Sequence, residues 1–218
     1  MKIIIFLFFL SMSLTVYGQS DKKFTDYYYQ KKSHFESLPN SPDEIIFLGN
    51  SITDGCEWSE LFQDLRVKNR GIIGDNTEGI LYRLKEVTDS KPLKVFIMIG
   101  INDLSQNVSL TQILYNYENI IKSIKSTSPK TIIYVQSILP VNPDFPKFKN
   151  VSGKTSQIME LNSDLAKLAQ INNVNFIDLF SVFKDTANHM DKKYTVDGLH
   201  LNAGGYNLWK ATIEHLVK

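Results

Sequence analysis

Four apolar residues in a row, Ile45-Ile46-Phe47-Leu48, run into Gly49-Asn50-Ser51. A short unbroken apolar run closed by turn residues predicts a strand buried on both faces, the kind found inside parallel sheets. The pattern recurs. Val67 to Asn69 leads to Gly71-Ile72-Ile73-Gly74, and Lys94 to Ile99 leads to Gly100-Ile101-Asn102-Asp103. Thr131 to Val135 and the shorter Val174 to Leu179 complete a set of five. Between them the apolar period becomes helical, over Trp58 to Leu65, Ile80 to Val87, Leu110 to Ile124 and Gln157 to Ala169, with a last helix from Ala203 to Leu216. Parallel neighbours need a crossover, and helices supply it. The expected fold is therefore α/β, a three-layer α/β/α arrangement on a five-stranded parallel sheet. The simplest strand order is 2-1-3-4-5, the flavodoxin-like one.

The chain has 218 residues, enough for one such domain, which we place at 43–218. Residues 1–18 read differently. Lys2 precedes Ile3 to Leu10, an apolar stretch short for a membrane span, and small residues lead to Tyr17-Gly18. That is the plan of a secretory signal peptide, so an exported protein without stable membrane insertion is expected, periplasmic or secreted. Residues 19–42 form a helical lead, with Phe24, Tyr28, Phe35 and Leu38 near helical spacing and Pro39 and Pro42 ending it. Tyr27-Tyr28-Tyr29 could stack on sugar rings, but packing against the domain is the simpler expectation. Of the 24 basic residues only Lys2 lies in the leader, so the remainder balances its 23 acids. Neutrality removes any electrostatic case for a nucleic-acid partner.

In open α/β sheets reactive groups sit beyond the carboxyl ends of the strands. Ser51 is there. Alone, it would read as a turn serine capping the next helix. Later stretches at the same sheet edge favour chemistry instead: Gly74, then Gly100-Ile101-Asn102-Asp103, then Asp197-Gly198-Leu199-His200. A carboxylate three residues before a histidine, in a turn entering a helix, can hold one imidazole nitrogen and leave the other to face a nucleophile. Asp54 is the expected N-cap of the helix at Trp58, and Asn202 that of the last helix. The lone Cys56 could rival Ser51 but reads as a small buried hydrophobe, and a single cysteine leaves no internal disulfide. The four histidines lack a paired ligand spacing, and no Walker-type loop is present, so neither metal nor cofactor is implied.

The order Gly-Asn-Ser51, Gly74, Gly100-x-Asn102, Asp197-x-x-His200 resembles the SGNH, or GDSL-type, hydrolase family, whose four blocks carry Ser, Gly, Asn and His. The likeness spans residues 43 to 216. It is nearest to the sialate O-acetylesterase and platelet-activating-factor acetylhydrolase-like branch in Leu48 to Gly55 and Leu139-Pro140-Val141-Asn142. The resemblance implies a serine esterase with Ser51 as nucleophile, His200 as general base and Asp197 as its partner. It places the oxyanion hole at the amides of Ser51 and Gly74 and the side chain of Asn102. Where the family usually has Gly-Asp-Ser, this chain has Asn50. The sharp elbow of Gly-x-Ser-x-Gly enzymes is absent. The expected partner is a small-molecule or glycan ester, with acetyl groups on carbohydrate such as sialic acid favoured. A lysophospholipase or thioesterase, or a carbohydrate-binding protein without turnover, is the alternative. Pro140 to Gly153, with three prolines, is expected to be an irregular loop near the site, carrying Phe145 and Phe148 among polar residues.

Overall fold

The computed structural model describes residues 23–41 and 43–218; the expected signal peptide and Pro42 lie outside them. Helix α1 is Asp26–Ser37. Strand β1 (Ile45–Gly49) is followed by the short helices α2 (Ser51–Asp54) and α3 (Trp58–Phe62), then β2 (Val67–Gly71) and α4 (Thr77–Thr88). Next come β3 (Lys94–Met98), α5 (Ile101–Ser105), α6 (Leu110–Thr127) and β4 (Ile132–Gln136). The remainder holds α7 (Lys149–Ser152), α8 (Thr155–Ile171), β5 (Asn175–Ile177), α9 (Phe180–Phe183) and α10 (Ala203–Val217).

The five strands are parallel and ordered β2-β1-β3-β4-β5, as the alternation of runs predicts. After β2 the chain passes β1 to reach β3 and continues outward to β4 and β5. Helices α4, α6 and α8 pack in sequence on one face with α1 against α4, while α3 and α10 pack together on the other. On the α3 and α10 side an aromatic row crosses the sheet. Phe47 is in register with Phe96, and Phe96 with Tyr134, at ring separations of 5.0 and 4.5 Å. Trp58 stacks 4.2 Å from Phe47 and meets Trp209 edge-on at 4.8 Å, so one buried cluster ties α3 and α10 to the central strands. Each such pair adds about 0.5–1.5 kcal/mol beyond the area it buries.

Three local expectations are corrected. Helix α3 stops at Phe62 rather than Leu65: Gln63 turns left-handed (φ 53°), and Asp64 takes the Arg66 amide at 2.9 Å, drawing the backbone into a turn. Leu65 is left 84% exposed despite its helical spacing. Asp54 is no cap of α3, whose N-cap position is Glu57 without a side-chain bond. Asp54 ends α2 and binds the lead helix, through Lys31 at 2.7 Å and the Tyr27 hydroxyl at 2.9 Å. The segment after β4 contains α7, a turn of regular helix packed against α5. Lys154 fastens its end to the Leu104 carbonyl and the Asn107 side chain. Within the lead, Tyr28 packs inward as expected: it is buried, and its hydroxyl donates to the Gly79 carbonyl at 2.7 Å.

Candidate active site

Where β1 ends, Asn50 rather than Ser51 is the capping residue. Its side chain accepts from the Ile52 amide at 3.0 Å, which makes Ser51 the first residue of α2. At that position an amide has no partner within the helix, so the Ser51 N–H is left to point outward. The turn is held from behind: the Trp58 indole donates to the Thr53 carbonyl at 2.8 Å, and the Tyr206 hydroxyl to the Ile52 carbonyl at 2.9 Å.

The structure brings Ser51, His200 and Asp197 into line. Ser51 Oγ lies 2.9 Å from His200 Nε2, and His200 Nδ1 lies 3.0 Å from Asp197 Oδ2. Sequence spacing alone leaves the Asp–His contact open; the turn settles it. Asp197 Oδ1 accepts the amides of Leu199 and His200 at 3.2 and 2.8 Å, bending the chain back on itself. Thr195 Oγ1 accepts the Gly198 amide at 2.9 Å and donates to the His200 carbonyl at 2.7 Å. Gly198 has φ +86°, and a Cβ there would stand 2.7 Å from the Asn142 carbonyl and 2.8 Å from Phe145 Cβ. Glycine is thus required twice over, by conformation and by the loop packed on it. Partial burial pushes the Asp197 carboxyl up, but the His200 amide, the imidazole and Lys147 outweigh it and hold the group near 2. It is a carboxylate throughout the range in which a histidine can work as a base.

The other two expected residues, Gly74 and Asn102, are linked to one another through Asp75. Gly74 has φ +80°, with open space where a Cβ would be. The backbone angle, not the space for a side chain, calls for glycine here. Among the described residues no group accepts the Gly74 amide. Asn102 Nδ2 donates one hydrogen to the Asp75 carbonyl at 2.8 Å, which fixes the side-chain amide and leaves its second hydrogen available. The Gly74 amide and the second Asn102 hydrogen are thus left as free donors among the described residues.

Several supports went unrecognised in the sequence. Arg83 is fully buried, and it pairs with Asp75 at 2.8 Å and with Glu86 at 2.9 Å. It also donates to the carbonyls of Gly49 and Arg70 at 3.2 and 2.8 Å. One guanidinium therefore joins the strand leading to Ser51, the loop carrying Gly74 and the residue that orients Asn102. Burial pushes the Asp75 carboxyl up to about 6, against the pull of Arg83. Asp103, next to Asn102, accepts the Thr77 amide and hydroxyl and ties α5 to the start of α4. Arg83 left a readable trace: it falls at helical spacing among Ile80, Leu84 and Val87, where a charge on an apolar face needs a buried partner. Lys147 and Phe148 lie in the segment the sequence places near the site, but no spacing pairs them with Asp197 and His200. Lys147 lies 3.2 Å from Asp197 Oδ2, and the Phe148 ring stands edge-on to His200 at 5.2 Å. The Asn142 amide, at the root of that segment, donates to the Gly198 carbonyl at 2.8 Å.

Cys56 stands apart from this arrangement. It is buried, and burial together with the charge of Glu57 pushes its thiol up to about 12, so almost no thiolate exists near neutrality. Among the described residues no group of three or more His, Cys, Asp or Glu could hold a metal ion, and no helix is long and apolar enough to cross a membrane.

A family model described as GDSL-like Lipase/Acylhydrolase matches residues 47–208. Over 192 residues the chain is 28% identical to an N-acylneuraminate cytidylyltransferase of Escherichia coli. That match covers 87% of this chain and 43% of the relative's length. It is also 28% identical over 169 residues to human platelet-activating factor acetylhydrolase IB subunit alpha2, covering 75% of this chain and 71% of that one. A solved structure from Streptococcus pneumonia, provisionally described as a platelet activating factor, superposes with a TM-score of 0.78 at 29% identity. The superposition covers 88% of this chain and 93% of the other.

Proposed function

The chain belongs to the GDSL-like lipase/acylhydrolase family and is a carboxylic ester hydrolase, and from that premise we propose that it removes short acyl groups, acetyl above all, from carbohydrate by way of a Ser51 acyl-enzyme. The observation that carries the mechanism is the unbroken line Ser51 Oγ, His200, Asp197. Ser51 Oγ attacks the ester carbonyl carbon while His200 Nε2 takes its proton. The carbonyl π electrons move onto oxygen, which the amides of Ser51 and Gly74 and the side chain of Asn102 receive. Collapse expels the alcohol oxygen, which takes the proton back from His200, and the acyl group stays on Ser51. Water then attacks, gives its proton to His200, and the second collapse frees the acid and restores Ser51.

Asn102→Ala measures the oxyanion contribution. Removing one preorganised donor is expected to lower kcat on phenyl acetate by about 10²–10³ with KM little changed, since the donor acts on charge present only in the transition state. A variant that raised KM and kept kcat would put Asn102 in substrate binding instead.

The preference for acetyl on sugar rests on the segment from Pro140 to Gly153. It is docked against α5 and the Asp197 turn, so it stands at the His200 side, where the leaving alcohol departs. It offers Phe148 and the exposed Lys147 there, an aromatic edge beside a polar group. A sugar can meet both, whereas a lipid site would need an extended apolar surface. The name of the N-acylneuraminate relative makes O-acetylated sialic acid the first sugar ester to assay. An aryl ester series decides the acyl question: kcat/KM should be highest for acetate and fall towards chains of eight carbons. A value climbing with chain length would favour the lysophospholipase or thioesterase reading.

A further inference from the structure

Ser51 opens α2, a helix of a single turn. One turn cannot hold its own position, because nucleation costs more than so few hydrogen bonds return. Contacts from outside must therefore set where Ser51 Oγ and the Ser51 amide stand. The domain supplies some of them. The Trp58 indole, the Tyr206 hydroxyl and the Asn69 side-chain amide donate to the carbonyls of Thr53, Ile52 and Asp54. The lead supplies the rest. Asp54, the last residue of α2, has a largely buried carboxylate gripped by Lys31 at 2.7 Å and by the Tyr27 hydroxyl at 2.9 Å. Burial and the neighbouring carboxylate push that hydroxyl up to about 12, so it stays a donor.

The same helix reaches the oxyanion side. Tyr28, next to Tyr27, donates to the Gly79 carbonyl in the first turn of α4. Gly79 packs so closely on Asp75 that a side chain there would collide with the Asp75 carboxylate. Asp75 follows Gly74, and its carbonyl holds Asn102. The Arg70 and Arg83 guanidiniums lie over the buried Phe35 ring at 4.9 and 6.0 Å, so the lead also touches the ion network that ends on Asp75. Tyr27 and Lys31 are four residues apart, Tyr28 and Phe35 seven, so α1 turns one stripe to α2 and an adjacent one to α4. With 12 residues and its own cap at Thr25, α1 is a longer and stiffer body than α2.

We infer that the lead helix is a brace that fixes Ser51 relative to the proposed oxyanion donors, with Tyr27 and Lys31 as positioning residues that act through Asp54. The inference rests on the acyl-enzyme reading above. In the tetrahedral intermediate the carbon is bonded to Ser51 Oγ while its oxygen lies on donors that follow β2 and β3. Both ends must be in place at once, and a misplacement of about 1 Å between them can cost about 10²-fold in rate. The cost falls on kcat, because the charge on oxygen exists only in the transition state and the intermediate beyond it.

The double variant Tyr27→Phe/Lys31→Met tests it, since it removes both grips on Asp54 and keeps most of the bulk of the two side chains. Rates on phenyl acetate are taken per serine titrated with a fluorophosphonate, so that unfolded protein is not counted. The kcat should fall about tenfold or more, with KM within about twofold of wild type. Glu36→Gln is the control: it loosens the helix itself by weakening the pair with Lys32 at 2.6 Å, leaves Asp54 gripped, and should keep the wild-type constants. Should the double variant not fold, Asp54→Asn, which loses the ion pair and can still accept from Tyr27, is read by the same rule. A smaller fall, a KM that rises as far as kcat drops, or an equal fall in Glu36→Gln overturns the brace and leaves the acyl-enzyme mechanism standing. A wild-type protein that the fluorophosphonate does not label overturns that mechanism and the brace with it.

Discussion

Ser51→Ala is expected to lower kcat on phenyl acetate by about 10⁶-fold, the scale on which serine hydrolases lose activity with their nucleophile. The reason is local. Ser51 Oγ is the atom His200 faces at 2.9 Å, and Cys56, the other conceivable nucleophile, is a buried thiol. The fold should survive, because the side chain is partly exposed, makes that one bond, and opens a helix whose cap is Asn50. A circular dichroism melt within a few degrees of wild type checks this point. Labelling by a fluorophosphonate gives a second readout, reacting with wild type and not with the variant. Labelling of both, or a variant keeping a tenth of the activity, would remove Ser51 from the mechanism. A wild-type protein that resisted the reagent would favour a carbohydrate-binding role without turnover.

The next largest effect is expected at Asp197. Replacement by asparagine should cost about 10⁴-fold in kcat, as it does where such a carboxylate orients a catalytic histidine. The turn explains why so conservative a change matters. Asp197 Oδ1 is claimed by two backbone amides, so the asparagine oxygen will take that place and its NH₂ will face His200 Nδ1. The imidazole must then carry its proton on Nε2, which can no longer accept one from Ser51. Because Asp197 is held near 2, it stays a carboxylate on mild acidification, and activity lost there does not report its protonation. Rate measurements on Asp197→Asn settle the role: a loss under tenfold would leave the carboxylate a turn-former only.

How far these residues could be foreseen depends on the range of the interactions that place them. Strand order follows from the buried runs at β1, β3 and β4 and from the helical periods between them, because hydrophobic burial and crossover handedness act through patterns written along the chain. The positions of Ser51, Gly74, Asn102 and His200 at one sheet edge follow from that same pattern, since each lies just before or in the first turn of a helix. Boundaries fared less well. Leu65 has helical spacing but is left in solvent, because the Asp64 carboxylate offers the backbone a turn in place of another helical bond. The sequence by itself thus determined the architecture and the residue types at the site. Only the tertiary structure decided how they are held: Arg83 between β1, β2 and α4, the Pro140 to Gly153 segment against the Asp197 turn, and the lead helix beside Gly74. Those contacts join residues far apart in the chain through single charged or aromatic side chains. Such long-range pairings have no period to read, and they exist only once packing has brought their partners together.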